Sequence, residues 1–279
     1  MFSSVLKCSL LAIRTVTSPH FSFRTLITHS QHTLIQSEKM LELCSILKTI
    51  PVKTGCGWHY DPSVLQGLTK CTDLMNQLEL LDVFDPKMCS STSSISAKRS
   101  LQVTLEELVK HRANAIDVVK GRKDPDTRQL GFDVSVFMLP SHSSLPLHNH
   151  PDMIVLTKVL YGSMHVRSFT MDGPTSRTPM HASLARHEVR TKSCNAWELY
   201  PDEGNVHQFT TAEVPCIFVD VILPPYDGAH GRDCNFFSEV EIDNHNTCGE
   251  QGQYHLQEAS PPWEMLPTLL YYPTVTLEY

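Results

Sequence analysis

Three histidines are spaced to do chemistry together. Leu147-His148-Asn149-His150-Pro151 reads as the end of an extended segment. Side chains alternate on a strand, so His148 and His150 share one face and Asn149 takes the other. Two imidazoles on one face can hold one metal ion from neighbouring positions. Downstream, Gly204-Asn205-Val206-His207 offers a third imidazole after a turn, at the start of another β-like stretch. A bare His-x-His also arises as two unrelated polar histidines, so the case rests on the third ligand and on the scaffold. Imidazole suits iron, copper, zinc and nickel alike, and ligand type alone leaves the metal open.

The rest of the composition narrows the field. The chain has 279 residues, of which 41% are hydrophobic, with 15 His, 9 Cys and a formal net charge of −7. That apolar share at that length can bury a sizeable core, which excludes a fully disordered or fibrous protein. The negative balance gives no general pull toward nucleic acid or an anionic membrane. Arg167, Arg177, Arg186 and Arg190 also lack the aromatic interleaving of single-strand grooves. No apolar run is long enough to span a bilayer. No pair of cysteines is spaced C-x-x-C, so a zinc ribbon or dithiol redox motif is unsupported, and the thiols read as reduced and mostly buried.

Several elements must position the histidines. Residues 1–37 hold Lys7, Arg14 and Arg24 with many Ser and Thr and no acid, the composition of a mitochondrial transit peptide. We exclude them from the fold and expect cytoplasmic or mitochondrial residence. Residues 38–122 read as a helical preface and linker. One helix covers 39–49 and stops at Pro51; a second opens at Asp61-Pro62 and buries Val64, Leu68, Cys71, Met75 and Leu78 as one stripe. Ser90–Ser96 reads as a loop. A capping-box pair, Thr104 and Glu107, opens a third helix that should end near Gly121.

From Gly131 the texture changes to short β-branched and aromatic runs: Phe132–Leu139, Ile154–Leu160, Met164–Phe169, Trp197–Leu199 and Cys216–Leu223. Pro140-Ser141, Asp172-Gly173-Pro174, Asp202-Glu203-Gly204 and Pro224-Pro225 separate them. Gly162 lies where a β-hairpin would turn back. No long amphipathic helices alternate with the strands, which argues for an all-β sandwich or jelly-roll barrel over residues 123–245. Residues 246–279 form a C-terminal segment packing on that core.

The order His-x-His, glycine, then Pro and Gly before a third His resembles the two-motif signature of cupins. A carboxylate ligand expected four or five residues after the second His is replaced by Ile154 and Val155. More specifically, Leu145–Pro151 (LPLHNHP), Lys158–Gly162, Asn205–His207, Asp220–Tyr226 (DVILPPY) and Gly231–Cys234 (GRDC) resemble the cysteamine dioxygenase and plant cysteine oxidase family. The likeness covers roughly residues 130–240. It implies a cupin-type double-stranded β-helix and a non-haem iron(II), Fe(2+), thiol dioxygenase. Such enzymes add both atoms of O2 to the thiol of cysteamine, a small aminothiol, or of an N-terminal cysteine on a peptide, in some cases for oxygen sensing. By motif, His148, His150 and His207 would hold the iron, and Asp220 and Tyr226 would line the substrate side. Asp220 would accept from the substrate ammonium or orient a ligand histidine; the bland alternative is a strand-end carboxylate paired with Arg232. Tyr226 would position O2 or thiolate, or else pack as a loop aromatic.

Two departures stand out. Asp152 follows Pro151 where relatives often carry glycine, and Phe236 stands where the animal enzymes have a tyrosine associated with a Cys–Tyr thioether, so no such crosslink is expected with Cys234. His165 reads as an ordinary strand histidine, and His142, His181, His187 and His230 as exposed. We expect a monomer with no nucleic-acid or membrane partner. Other readings are a metal-binding cupin without turnover, or a different cupin enzyme such as a zinc or nickel isomerase or hydrolase.

Overall fold

The computed structural model describes residues 37–84, 113–121, 131–173, 179–240, 253–260, 262, 267–269 and 275–277. Helix α1 (Glu38–Thr49) and helix α2 (Pro62–Met75) form the preface with a short α3 (Leu80–Val83). Asp61 caps α2 by accepting from the Ser63 amide at 2.9 Å, and Pro62 occupies the first turn, where no donor is missed. The predicted stripe is buried: Val64, Leu68, Cys71, Met75 and Leu78 are all inside. Gly67 lets α2 approach closely, since a Cβ there would sit 2.6 Å from Cγ1 of Ile50.

Among the described residues twelve strands follow: β1 (Asn114–Gly121), β2 (Asp133–Leu139), β3 (Ser144–His148), β4 (Ile154–Met171), β5 (Met180–Thr191), β6 (Trp197–Leu199), β7 (Val206–Thr210), β8 (Cys216–Leu223), β9 (Phe236–Glu239), β10 (Gln253–Ala259), β11 (Thr268–Leu269) and β12 (Val275–Leu277). One sheet runs β1–β2–β8–β4–β6, with β11 and β12 parallel to β1 at its edge. The other runs β4–β5–β10–β9–β3–β7 and returns to β4. This is the cupin-type double-stranded β-helix with a helical preface that the sequence implies.

Period-two alternation distributes the core. On β8, Ile217, Val219, Val221 and Leu223 face the preface helices, while Cys216, Phe218 and Ile222 face inward. The inner cluster between the sheets contains Leu145, Val155, Val166, Trp197, Phe209 and Phe218. All six strands of the second sheet feed a third cluster: Leu147, Phe169, Met180, Ala182, Val206, Phe237 and Leu256. Every side chain of β8 is buried, which explains its unbroken apolar run.

Three expectations need correction. Asn114–Gly121 is a strand, not the end of a helix; the proposed start at Thr104 lies outside the described residues. Ile116, Val118 and Val119 are β-branched and buried, and pairing with β2 outweighs a local capping pattern. The first sheet therefore begins before residue 122. Gly162 makes no hairpin: β4 runs through it for 18 residues. Its φ of +75° follows from a close approach, because a Cβ would collide with the Pro215 carbonyl. Finally, the C-terminal segment supplies strands to both sheets rather than only packing on them. The Ser90–Ser96 loop and residues 1–36 lie outside the described residues.

Candidate metal centre

His148 ends β3 and His207 lies in β7, where the two are direct ladder partners and so share a face. His150 follows in the turn after β3, and its ring converges on the other two. The ring centroids are 4.3 Å apart for His148–His207 and 5.1 Å for each pair with His150. One nitrogen from each ring lies within 4.8 Å of the others, and all three residues are buried. Asn149 points away and accepts from the Asn235 amide at 3.0 Å, as alternation requires.

Each ring is held by its other nitrogen. Nδ1 of His148 meets the Pro146 carbonyl at 2.7 Å and Nδ1 of His207 meets the Asn205 carbonyl at 2.9 Å. A carbonyl can only accept, so both Nδ1 atoms carry the proton and both Nε2 lone pairs are free. The Tyr226 hydroxyl lies 2.7 Å from Nδ1 of His150 and 3.1 Å from the Asn149 carbonyl. With the hydroxyl donating to that carbonyl and accepting from His150 Nδ1–H, both contacts are satisfied and the third Nε2, 3.5 Å from the same hydroxyl, keeps its lone pair. Asn205 ties the two ligand loops: its Oδ1 accepts from the His150 amide at 2.9 Å, and its Nδ2 donates to the His150 and Tyr200 carbonyls at 2.9 and 3.0 Å.

Electrostatics agree with a ligand role. Burial pushes the His148 imidazolium down to about 4. His150 and His207 fall well below the ordinary value, first through burial and then through neighbouring imidazoles. Three neutral, tethered imidazoles fit a divalent ion of imidazole preference, and this donor set leaves the ion's charge uncompensated by protein.

Asp220 lies on the inward parity of β8, between Phe218 and Ile222. It is 3% exposed, accepts from Thr157 Oγ1 at 2.7 Å, and burial raises its carboxyl to about 7. Arg232 is not its partner; that guanidinium reaches the Pro225 carbonyl and Asp227. Tyr226 packs against the inner cluster, with its hydroxyl on His150. Phe236 pairs with His148 across the ladder, its ring centroid 6.3 Å from that imidazole. Cys234 is half-buried. His142, His165, His181, His187 and His230 are exposed.

Sequence reasoning missed two kinds of residue. Asn205 was visible only as part of a motif, and its signal was its place two residues before the third ligand. Asp152 and Asp202 bond to the preface segment 55–60, a contact no local pattern announces.

Comparison with known proteins gives the same family as the motifs. The chain is 42% identical over 117 residues to plant cysteine oxidase 1 of Arabidopsis thaliana, covering 40% of this chain and 39% of that protein. It is 35% identical over 133 residues to 2-aminoethanethiol dioxygenase of Mus musculus, covering 40% and 51%. The chain thus spans about half the length, or less, of these curated relatives. Among solved structures, a double-stranded β-helix protein from Klebsiella pneumoniae aligns at TM-score 0.31 and 16% identity, over 47% of this chain and 92% of that one. A cupin 2 domain-containing protein from Halorhodospira halophila aligns at TM-score 0.29 and 17% identity, over 42% and 67%. The PCO_ADO family profile matches residues 126–274, reaching past the motifs at both ends and covering more than half of the sequence; the chain belongs to that family, the cysteamine dioxygenase and plant cysteine oxidase type.

Proposed function

We propose that the protein is an iron(II) thiol dioxygenase that adds both atoms of O2 to the thiol of cysteamine or of an N-terminal cysteine, giving a sulfinic acid. The observation that carries the reading is the buried three-histidine cluster, without a carboxylate ligand among the described residues, in a chain whose relatives are named for this chemistry. Such a donor set favours a substrate that brings its own negative charge, as a thiolate does. Iron held by His148, His150 and His207 would supply a redox-active Lewis acid open to both thiolate and O2.

The protein's own groups do the rest. The Pro146 and Asn205 carbonyls and the Tyr226 hydroxyl hold the rings in one tautomer and orientation, so no reorganisation is needed when metal binds. Phe209, whose ring lies 4.9 Å from that of His207, belongs with Phe218 and Val166 to the buried inner cluster, an apolar surround that would keep water from a thiolate at the triad. Asp220, poised near neutrality by burial, takes the substrate ammonium: a nearby cation favours the carboxylate and draws the shared charge inward. In the balanced reaction R–SH plus O2 gives R–SO2H, sulfur is oxidised and O2 supplies both new oxygens.

The test is direct. Protein purified without oxygen should carry iron and, in air, add two oxygen atoms to cysteamine or to a Cys-initiated peptide by mass spectrometry; His207→Ala should abolish the product. Iron-loaded protein that leaves both thiols unchanged would sink the proposal and leave a metal-binding cupin without turnover. Bound zinc, nickel or copper would favour a different cupin enzyme. The monomeric state and mitochondrial or cytoplasmic residence are also proposals, checked by light scattering and by fusing residues 1–37 to a fluorescent protein.

A further inference from the structure

The segment Gly55–Tyr60 reaches from the helical preface to the loop that carries His150 and to the loop that leads into the His207 strand. At one end it grips Asp152, two residues after His150: Oδ2 accepts from the Gly55 amide at 2.8 Å and Oδ1 from Trp58 Nε1 at 3.2 Å. At the other it grips Asp202, five residues before His207: Oδ1 meets His59 Nε2 at 3.0 Å and Oδ2 accepts from the Tyr60 hydroxyl at 3.1 Å. All four carboxylate oxygens are engaged, and each aspartate belongs to a different one of these loops.

The conformation of Asp152 adds a second reason to single it out. The Met153 amide donates to the His150 carbonyl at 3.2 Å, closing a four-residue turn with Pro151 second and Asp152 third. The φ of Asp152 is +57°, the left-handed region that this turn position demands and that glycine fills without cost. An aspartate there accepts strain on the order of 1 kcal/mol, which two hydrogen bonds to a carboxylate offset. The sequence departure thus has a partner, and that partner is the preface.

The clamp has firm backing. Trp58 belongs to the buried cluster between helices and sheet, His59 is 2% exposed, and its ring lies 4.2 Å from Tyr60 and 5.8 Å from Tyr200. Tyr200 and Glu203 exchange backbone bonds that shape the Asp202 loop, and the Tyr200 carbonyl accepts from Asn205. The segment lies N-terminal to the matched residues 126–274.

We propose that Gly55–Tyr60 is a two-point clamp that sets the spacing between the loop bearing His150 and the loop leading into the His207 strand, with Asp152 the positioning residue that couples the preface to the metal site. This rests on the metal-binding reading of the triad. It is tested by titrating metal-free protein with Co(II), following its visible absorption bands, and by melting the metal-free protein. Asp152→Gly suits the turn and deletes both bonds; it should weaken Co(II) binding roughly tenfold and alter the bands, with the metal-free melting temperature little changed. Asp152→Asn, which keeps one acceptor, should fall between, and Trp58→Phe should lose part of the affinity. Wild-type affinity and bands in Asp152→Gly would overturn the clamp alone, as would a loss that merely tracks melting temperature across the three variants. A wild-type protein that binds neither Co(II) nor Fe(II) would overturn the metal reading, and the clamp with it.

Discussion

Two polar neighbourhoods share the apolar interior of the barrel, and they are built in opposite ways. Each histidine of the triad has its second nitrogen fixed by a carbonyl or a tyrosine, so the cluster is complete before any ligand arrives. Asp220 is equally buried but, among the described residues, accepts from Thr157 alone. A carboxylate has room for about four donors, so Asp220 is under-supplied where the histidines are fully supplied. Under the proposed function, the first is a rigid holder for a cation and the second gains most from a partner that comes with the substrate. Burial accordingly drives their protonation in opposite directions, lowering the histidines and raising the aspartate.

That contrast can be broken one group at a time. The largest effect should come from His207→Ala, which removes a ligand and should reduce both bound iron and sulfinic acid formation to background. Next, Asp220→Asn should leave iron content unchanged while lowering kcat/KM for aminothiols by about 10²-fold, the scale of a lost hydrogen bond to a charged group in a dry site. Equal losses of iron and turnover would show that the two neighbourhoods are not separate. Tyr226→Phe should act on the holder, weakening metal binding roughly tenfold through His150.

The pH dependence of metal-free stability should carry both signs. All three imidazoles are depressed in the fold, so their contribution is complete above 6.5 and is lost as pH falls, that of His148 toward about 4. Asp220 is raised, so its contribution is complete below 3.8 and is lost as pH rises through about 7. Denaturant melts of Asp220→Asn against wild type should therefore diverge upward in pH, by on the order of 1–3 kcal/mol. A difference that is flat across this range would mean that Asp220 is not held in a dry site. Thr157→Val, the smallest change, should cost about 1 kcal/mol and move that transition to still higher pH, because the lost hydroxyl stabilises the charged form.

The histidine cluster and the inner face were legible because both are periodic or local. His148 and His150 are two apart, β8 alternates cleanly, and α2 repeats its stripe at helical spacing. What was hidden depends on contacts between distant parts of the chain. Gly162 looks like a hairpin until the Pro215 carbonyl is seen against it. Asn114–Gly121 follows a capping signal, yet its buried Ile116 and Val119 pair with β2, and Val119 also with β12 near the C-terminus. Asp152 looked like a loose departure from a glycine position, and its partners lie 97 and 94 residues earlier. Tyr226 was placed near the chemistry by its motif, but its hydroxyl rests on a ligand ring, which a motif cannot specify.

Strand β4 has a consequence of another kind. Its first half hydrogen-bonds in one sheet, to β8 and β6, and its second half in the other, to β5 and β7. Neither sheet can peel away without pulling on the same 18-residue strand. Slow amide exchange in the two halves should therefore report one shared opening event rather than two, placing the His207 strand β7 in the same cooperative unit.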